Sequence, residues 1–342
     1  MSGVATKPLL EVRGLQVSFA GRGRLFAGKA AEARAVDGVD LTLGAGEILA
    51  LAGESGCGKT TLARTIMGLE RPKEGEIRFE GEPISRRTRR LRDYRRKVQI
   101  VFQDPAAALN PRQTIYESVA EGLRIHKVPG EEAKLVASAL SRAGLRPPER
   151  FYLLYPHEVS GGQRQRVVIA GALALEPRLI VADEPVSALD ASVRGEILRL
   201  LLKLREDFGL ALLVVTHDLG LAWMIADRVA VMYLGRIVEI GPAEQVLTNP
   251  LHPYTKALLS VVPEEKHMKP QILTGETPDP TRIPPGCRFH PRCPEVASGR
   301  AAAAGVEPRC KGQDLGLIEI RPGHFAACHL VNAEAGTPAA SV

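Results

Sequence analysis

Two hydrophobic periods take turns along this chain. Leu10, Val12, Leu15, Val17 and Phe19 alternate in part with polar residues, and the stretch from Ala35 to Leu43 does so again. Period-two alternation predicts half-buried strands at the front of a domain. Residues 47–52 then form a short, nearly continuous apolar run suited to a buried strand, and Thr61 to Met67 shifts to helical spacing. The same change recurs. Gly75–Gly81 predicts a hairpin edge, and Val98–Phe102 predicts a buried strand that Pro105 stops soon after it. From Thr114 to about Pro156 the apolar positions, Val119, Leu123, Leu135, Ala139 and Leu145 among them, follow a helix. Val159–Leu175 opens another helix, Leu179–Ala182 is a fully apolar run as a central parallel strand requires, and Ala191–Arg205 returns to helix. Leu210–Val215 is a further buried strand, and Arg228–Glu239 is a final alternating one closed by Gly241-Pro242. Strands alternating with helices predict an α/β fold with a mainly parallel sheet covered on both faces. An antiparallel β subdomain precedes it and a helical insertion at about 110–160 interrupts it.

Beyond about Thr248 the periodicity fades and prolines crowd the chain, including Pro250, Pro253, Pro263, Pro270, Pro284 and Pro285. The expected organisation is a domain over 8–248, an irregular Pro- and Cys-rich extension over 249–332, and a disordered tail over 333–342. Four of the five cysteines, Cys287, Cys293, Cys310 and Cys328, lie in that extension. In a reducing compartment such a group suggests a metal rather than disulfides, with free thiols as the alternative. No apolar run approaches the roughly 20 residues that cross a bilayer. No charged segment followed by an apolar core opens the chain, so a cytoplasmic protein is expected.

Composition narrows this only slightly. A hydrophobic share of 45% and a charged share of 25% are ordinary. The net charge of +6 is concentrated locally, since residues 86–97 hold eight Lys and Arg in twelve. That stretch reads as a solvated helix face, or else as a patch facing phosphate or lipid. Aromatic residues make up 4% and none interleaves the basic stretch, so no nucleic-acid partner is expected.

The chemistry gathers at Gly53-Glu54-Ser55-Gly56-Cys57-Gly58-Lys59-Thr60, between the predicted buried strand and the helix that starts near Thr61. In that context the stretch is a P-loop. Its glycines let backbone N–H groups approach phosphate oxygens, and the helix start adds a favourable dipole. Lys59 then reaches the terminal phosphates, and the Thr60 hydroxyl serves Mg²⁺. Asp183 and Glu184 end a predicted parallel strand, which is where ligands of open α/β sheets collect.

The P-loop is followed by Gln103, Ser160-Gly161-Gly162-Gln163, Asp183-Glu184, Ser187-Ala188-Leu189-Asp190 and His217. With these the chain resembles the ATP-binding cassette (ABC) family over roughly residues 8–250. The resemblance implies a P-loop NTPase core of RecA-like type and an ATP- and Mg²⁺-dependent ATPase working as a dimer of cassettes. Each ATP is then shared between the P-loop of one cassette and Ser160–Gln163 of the other. It further implies Phe19 stacking on adenine, and nucleotide contacts from Gly53 to Thr61 and from Gln103. Mg²⁺ falls to Thr60, Gln103 and Asp183, the general base is Glu184, the γ-phosphate contact is His217, and Asp190 links the two sites. Cys57 is a small residue tolerated in the loop. GESGCGKTT (53–61), VFQDPAAALNPR (101–112), Leu251-His252-Pro253-Tyr254-Thr255 and CRFHPRCP (287–294) narrow the resemblance to ATP-binding subunits of dipeptide and oligopeptide importers. That group implies two membrane permeases, an extracytoplasmic solute-binding protein, and a place on the cytoplasmic face of the membrane. It also implies a [4Fe–4S] cluster on the four cysteines, for which Zn²⁺ is the alternative. Sixteen residues between Cys293 and Cys310 depart from the usual spacing and make Cys310 the outlying ligand. An oligosaccharide or nickel importer, or a soluble cassette ATPase acting on nucleic acid, are the rival readings.

Overall fold

A computed structural model describes residues 7–20, 32–85, 87–261, 273 and 275–336. Residues 21–31, Arg86, the prolines at 263 and 270, and the tail from residue 337 lie outside the described residues.

Two sheets carry the fold. The first is antiparallel, with strands β1 (Leu10–Ala20), β2 (Glu32–Leu43), β4 (Glu74–Phe79) and β5 (Glu82–Pro83) in the order β2-β1-β4-β5. Alternation decides which face it buries: Leu10, Val12, Leu15 and Val17 are in the core and the residues between them are not. The second sheet contains β3 (Ile48–Ala52), β6 (Val98–Val101), β7 (Leu179–Asp183), β8 (Ala211–Thr216), β9 (Arg228–Tyr233), β10 (Arg236–Pro242), β11 (Ile318–Arg321) and β12 (His324–Ala326), in the order β11-β12-β10-β9-β3-β8-β7-β6. The strands from β9 through β3, β8 and β7 to β6 run parallel. Every residue of β3, β7 and β8 is buried, because helices cover both faces. The result is the α/β P-loop NTPase architecture expected from the alternating periods.

The helices up to residue 260 are α1 (Lys59–Ile66), α2 (Thr88–Lys97), α3 (Pro105–Ala108), α4 (Ile115–His126), α5 (Glu132–Arg142), α6 (Gly161–Leu173), α7 (Ala191–Phe208), α8 (Leu219–Ile225), α9 (Ala243–Thr248) and α10 (Pro253–Ser260). In the insertion, α4 starts with a capping box in which Thr114 and Glu117 exchange hydrogen bonds. Its apolar face, Val119, Ala120 and Leu123, shares a core with Val136 and Leu140 of α5 and Val167 and Ala170 of α6. The basic stretch becomes α2, whose only buried residue is Tyr94. The Tyr94 hydroxyl donates to the Ile66 carbonyl at 2.6 Å, and Arg95 caps the Met67 and Gly68 carbonyls. It is a solvated helix face with one anchor.

Three expectations change. The segment 228–239, read as one strand, folds into the β9–β10 hairpin, because Leu234 and Gly235 both take positive φ and reverse the chain in two residues. The extension is less irregular than its periodicity suggests. Its β12 pairs with β10 and β11 pairs with β12, so it lengthens the main sheet. These strands are three and four residues long, too short to print an alternation. At the start of the expected tail, Ala333 and Glu334 belong to a helix, His329–Glu334.

Candidate functional site: a nucleotide cleft backed by the cysteine-rich extension

The loop from Gly53 to Gly58 leaves β3 and enters α1. Gly53 and Gly58 have φ of +150° and +112°, and a Cβ there would strike the carbonyls of Met232 and Ala35 respectively. Only glycine meets both conditions. Helix α1 has no side-chain cap and no acidic residue in its first turn, which leaves its N–H groups facing the cleft. Lys59 is buried and folded back over the loop, where its Nζ donates to the Gly53 and Glu54 carbonyls at 2.6 and 2.9 Å. Cys57 is buried beneath the same amine, with its Sγ 3.8 Å from Nζ. Burial raises the Cys57 thiol pKa, and the nearby Lys59 only partly opposes this.

Four strand ends converge on this loop. Ala35, Ser55, Gly56, Gly58, Lys59, Thr60, Thr61, Gln103, Glu184 and His217 line one open cleft. Glu184 is held from both sides: the Gln103 amide donates to Oε2 at 2.8 Å, and His217 Nδ1 lies 3.0 Å from Oε1. Its backbone has a positive φ of 48° and is fixed by bonds to Val215 and Ser187. The strain holds the carboxylate at the strand end. Thr60 Oγ1 donates to Asp183 Oδ1 at 3.4 Å. Burial raises the Asp183 carboxyl pKa, Thr60 lowers it, and the Glu184 charge raises it again. A hydroxyl beside a buried carboxylate that is costly to ionise alone is an oxygen donor set suited to a hard divalent cation.

Not every candidate reaches the cleft. Ser160 caps α6 and exchanges hydrogen bonds with Gln163 at 3.2 and 2.9 Å; Ser160, Gly161, Gly162 and Gln163 do not line the cleft of their own chain. Asp190 stands exposed at the start of α7. Phe19 sits exposed near the end of β1 opposite Ala33, outside the cleft lining.

Behind the loop the extension contributes contacts that motif reading assigned to no site. The Tyr254 hydroxyl accepts from the Glu54 N–H at 2.9 Å, and the Arg292 fork meets the Glu54 carboxylate at 2.9 and 3.3 Å. Tyr233, Tyr254 and Phe289 pack ring on ring there, with centroids 4.7 to 5.3 Å apart. Deeper in, the fully buried Glu239 of β10 accepts from the N–H groups of Leu251 and His252 and pairs with His324 of β12 at 2.7 Å. Arg288 pairs with Asp37 of β2 in a second buried contact. The only signals for these in the chain were the HPY and CRFHPRCP stretches.

Cys287, Cys293, Cys310 and Cys328 line one small apolar cavity as free thiols, without disulfides. Burial pushes Cys287 up to about 12 and Cys328 up to about 11, with the neighbouring thiols adding to both. Among the described residues no group of three or more His, Cys, Asp or Glu is gathered to hold a metal ion, so neither iron–sulfur nor zinc ligation is established. Cys310, placed as the outlier by spacing, is as much a part of the cavity as the others.

Known proteins match in the same two parts. Residues 36–187 match the family described as ABC transporter, and 238–299 match the oligopeptide/dipeptide transporter C-terminal region. The oligopeptide transport ATP-binding protein AppF of Bacillus subtilis is 44% identical over 339 residues, 96% of this chain and 99% of that one. The dipeptide transport ATP-binding protein DppF of Haemophilus influenzae is 46% identical over 332 residues, 94% and 96% of the two chains. Among solved structures, cbiO1 from Clostridium perfringens, part of the ABC transporter complex cbiONQ, aligns with a TM-score of 0.62 at 31% identity, covering 71% of this chain and 91% of that one. The ATP-binding cassette MJ0796, in a dimeric post-hydrolysis state with ADP and Pi, aligns with a TM-score of 0.60 at 30% identity, covering 68% and 98%. A P-loop entering α1, strand-end carboxylates beside it, a helix-capping SGGQ remote from the cleft, and near full-length identity above 40% place this chain in the ABC transporter family as an ATP-binding, ATP-hydrolysing subunit.

Proposed function

We propose that this protein is the ATPase subunit of an importer of dipeptides or oligopeptides, coupling ATP binding and hydrolysis in a cassette dimer to two membrane permeases and a solute-binding protein. The observation that carries this is the joining of one cassette to an extension with the HPY and CRFHPRCP stretches, matched as an oligopeptide/dipeptide transporter region. No helix among the described residues is long and apolar enough to cross a membrane. A place on the cytoplasmic face, held by permeases, accords with that.

The cleft residues take roles that follow from their positions. Backbone N–H groups of Gly56 to Thr61 and the Lys59 amine bind the phosphates. Thr60, Asp183 and Gln103 hold Mg²⁺, which when bound neutralises phosphate charge. Glu184 accepts a proton from the attacking water, and Gln103 and His217 aim its two oxygens. Phe19 stacks on adenine, and Asp190 links the two sites. Ser160 and the Gly161-Gly162 backbone, at a helix start with no phosphate of their own, serve the cleft of a partner cassette. The cassette is taken as 8–248 and the extension as 249–332. For the cysteines we favour a [4Fe–4S] cluster over Zn²⁺. Support comes from the four free cysteines that line one small cavity. Iron and sulfide analysis after anaerobic purification tests this, and zinc alone or no metal overturns it.

Reconstitution with its permeases and binding protein in liposomes tests the main reading. Di- or oligopeptide should stimulate ATP hydrolysis severalfold. Stimulation by nickel or an oligosaccharide instead would reject the peptide assignment.

A further inference from the structure

Glu54 lies in the P-loop but does not line the cleft; its side chain points to the rear. Each of its polar groups has a separate partner. The N–H donates to Tyr254 Oη at 2.9 Å, and the carbonyl accepts from Lys59 Nζ at 2.9 Å. The carboxylate receives the Arg292 fork at 2.9 and 3.3 Å and the Thr277 hydroxyl at 3.1 Å. The carbonyl also accepts from the Cys57 N–H at 3.3 Å within the loop; the N–H and the carboxylate find their partners beyond residue 249. Exposed ion pairs are worth little, but this one is a two-pronged Arg–carboxylate contact in which the Arg292 side chain is only 8% exposed. Arg292 is itself fixed by a turn, His290–Arg292, in which the N–H groups of His290 and Arg292 donate to the carbonyls of Cys287 and Phe289 and the following Cys293 N–H donates to that of His290. Tyr254 is locked among Tyr233 and Phe289.

The geometry points to Arg292, Thr277 and Tyr254 as a positioning set for the nucleotide site: the extension grips Glu54 from behind and so fixes the carbonyls that tether Lys59. The loop is thereby shaped for phosphate before nucleotide arrives, and less ordering remains to be done on binding. None of these residues touches Gln103, Glu184 or His217, so the set acts on affinity and leaves the hydrolytic step alone.

The inference rests on the reading of Gly53–Thr61 as the nucleotide site, and Lys59→Ala is the reference for that reading. The experiment titrates a fluorescent ATP analogue with Mg²⁺ into the full chain and measures kcat and KM alongside thermal melting. Arg292→Met is expected to weaken binding about tenfold and raise KM with kcat retained. Glu54→Gln should do the same from the cassette side, and the double variant should lose no more than either single one. Arg292→Lys, which keeps charge without the fork, should recover part of the affinity. Unchanged binding in Arg292→Met and Glu54→Gln, additive losses, or a fall in kcat alone would overturn the inference. If Arg292→Met does not fold, Glu54→Gln decides, since it is isosteric and leaves Arg292 in place. If wild type binds no nucleotide, or Lys59→Ala binds as wild type does, the site reading itself fails, an outcome distinct from the others.

Discussion

The cleft around Lys59 and the pocket around Cys287 differ in how far apart along the chain their parts lie and in how wet they are. The phosphate loop is one run of eight residues, open to solvent, and its shape depends on glycine φ values. The cysteine pocket gathers residues spaced from 287 to 328, is lined by apolar side chains, and is fastened to the cassette by buried polar contacts at Glu239–His324 and Asp37–Arg288. A site of the first kind is specified locally and fails through its own side chains. One of the second kind is specified by packing and fails through distant anchors.

Four substitutions test that contrast. The largest effect is expected from Glu184→Gln, which keeps the bonds to Gln103 and His217 but removes the base: turnover should drop on the order of a thousandfold while nucleotide still binds. Hydrolysis near the wild-type rate would end its assignment. Lys59→Ala comes next, with nucleotide affinity lower by about a hundredfold in equilibrium titration and the melting curve of the extension unaffected. If melting collapses as well, the cleft is not the local device described here. On the packing side, Glu239→Ala strands the His324 ring and the N–H groups of Leu251 and His252, and should cost about 3 kcal/mol in thermal or denaturant unfolding. An unchanged melting temperature would show that the extension does not depend on this anchor.

The smallest effect is a pH dependence. Burial lowers His252 to about 4 from 6.5, so the ring stays neutral in the folded chain while the unfolded chain takes up a proton below 6.5. Stability is therefore full above pH 6.5 and declines as pH falls toward 4, by about 2 kcal/mol between 6.5 and 5. His252→Asn should flatten that slope. A slope identical to wild type would assign the acid sensitivity to other groups.

Legibility followed the same division. The P-loop and the strand-end carboxylates could be named because each depends on residues adjacent in sequence next to a strand or helix whose period is plain, whereas Gln103, His217 and the helix-capping SGGQ were named through the resemblance to the ABC family. The hairpin at Leu234-Gly235 was missed because a two-residue reversal hardly interrupts alternation when the flanking strands bury both faces. Strands β11 and β12 were missed because they are too short to show a period. Cys310 looked remote by spacing, yet turns and short helices between Cys293 and Cys310 bring it to the same cavity.

By itself the sequence determined the alternation of strands and helices in the cassette apart from the β9–β10 hairpin, the phosphate loop, and the carboxylates at the strand end beside it, since these arise from local period, glycine conformation and residue type. Only the tertiary structure decided that the proline-rich extension completes the main sheet, that its cysteines share one cavity, and that Arg292 and Tyr254 hold Glu54. The Glu54 contacts join residues 200 and 238 positions apart. No periodicity records which distant partner a buried charge will find; that follows from the packing that removes both from water.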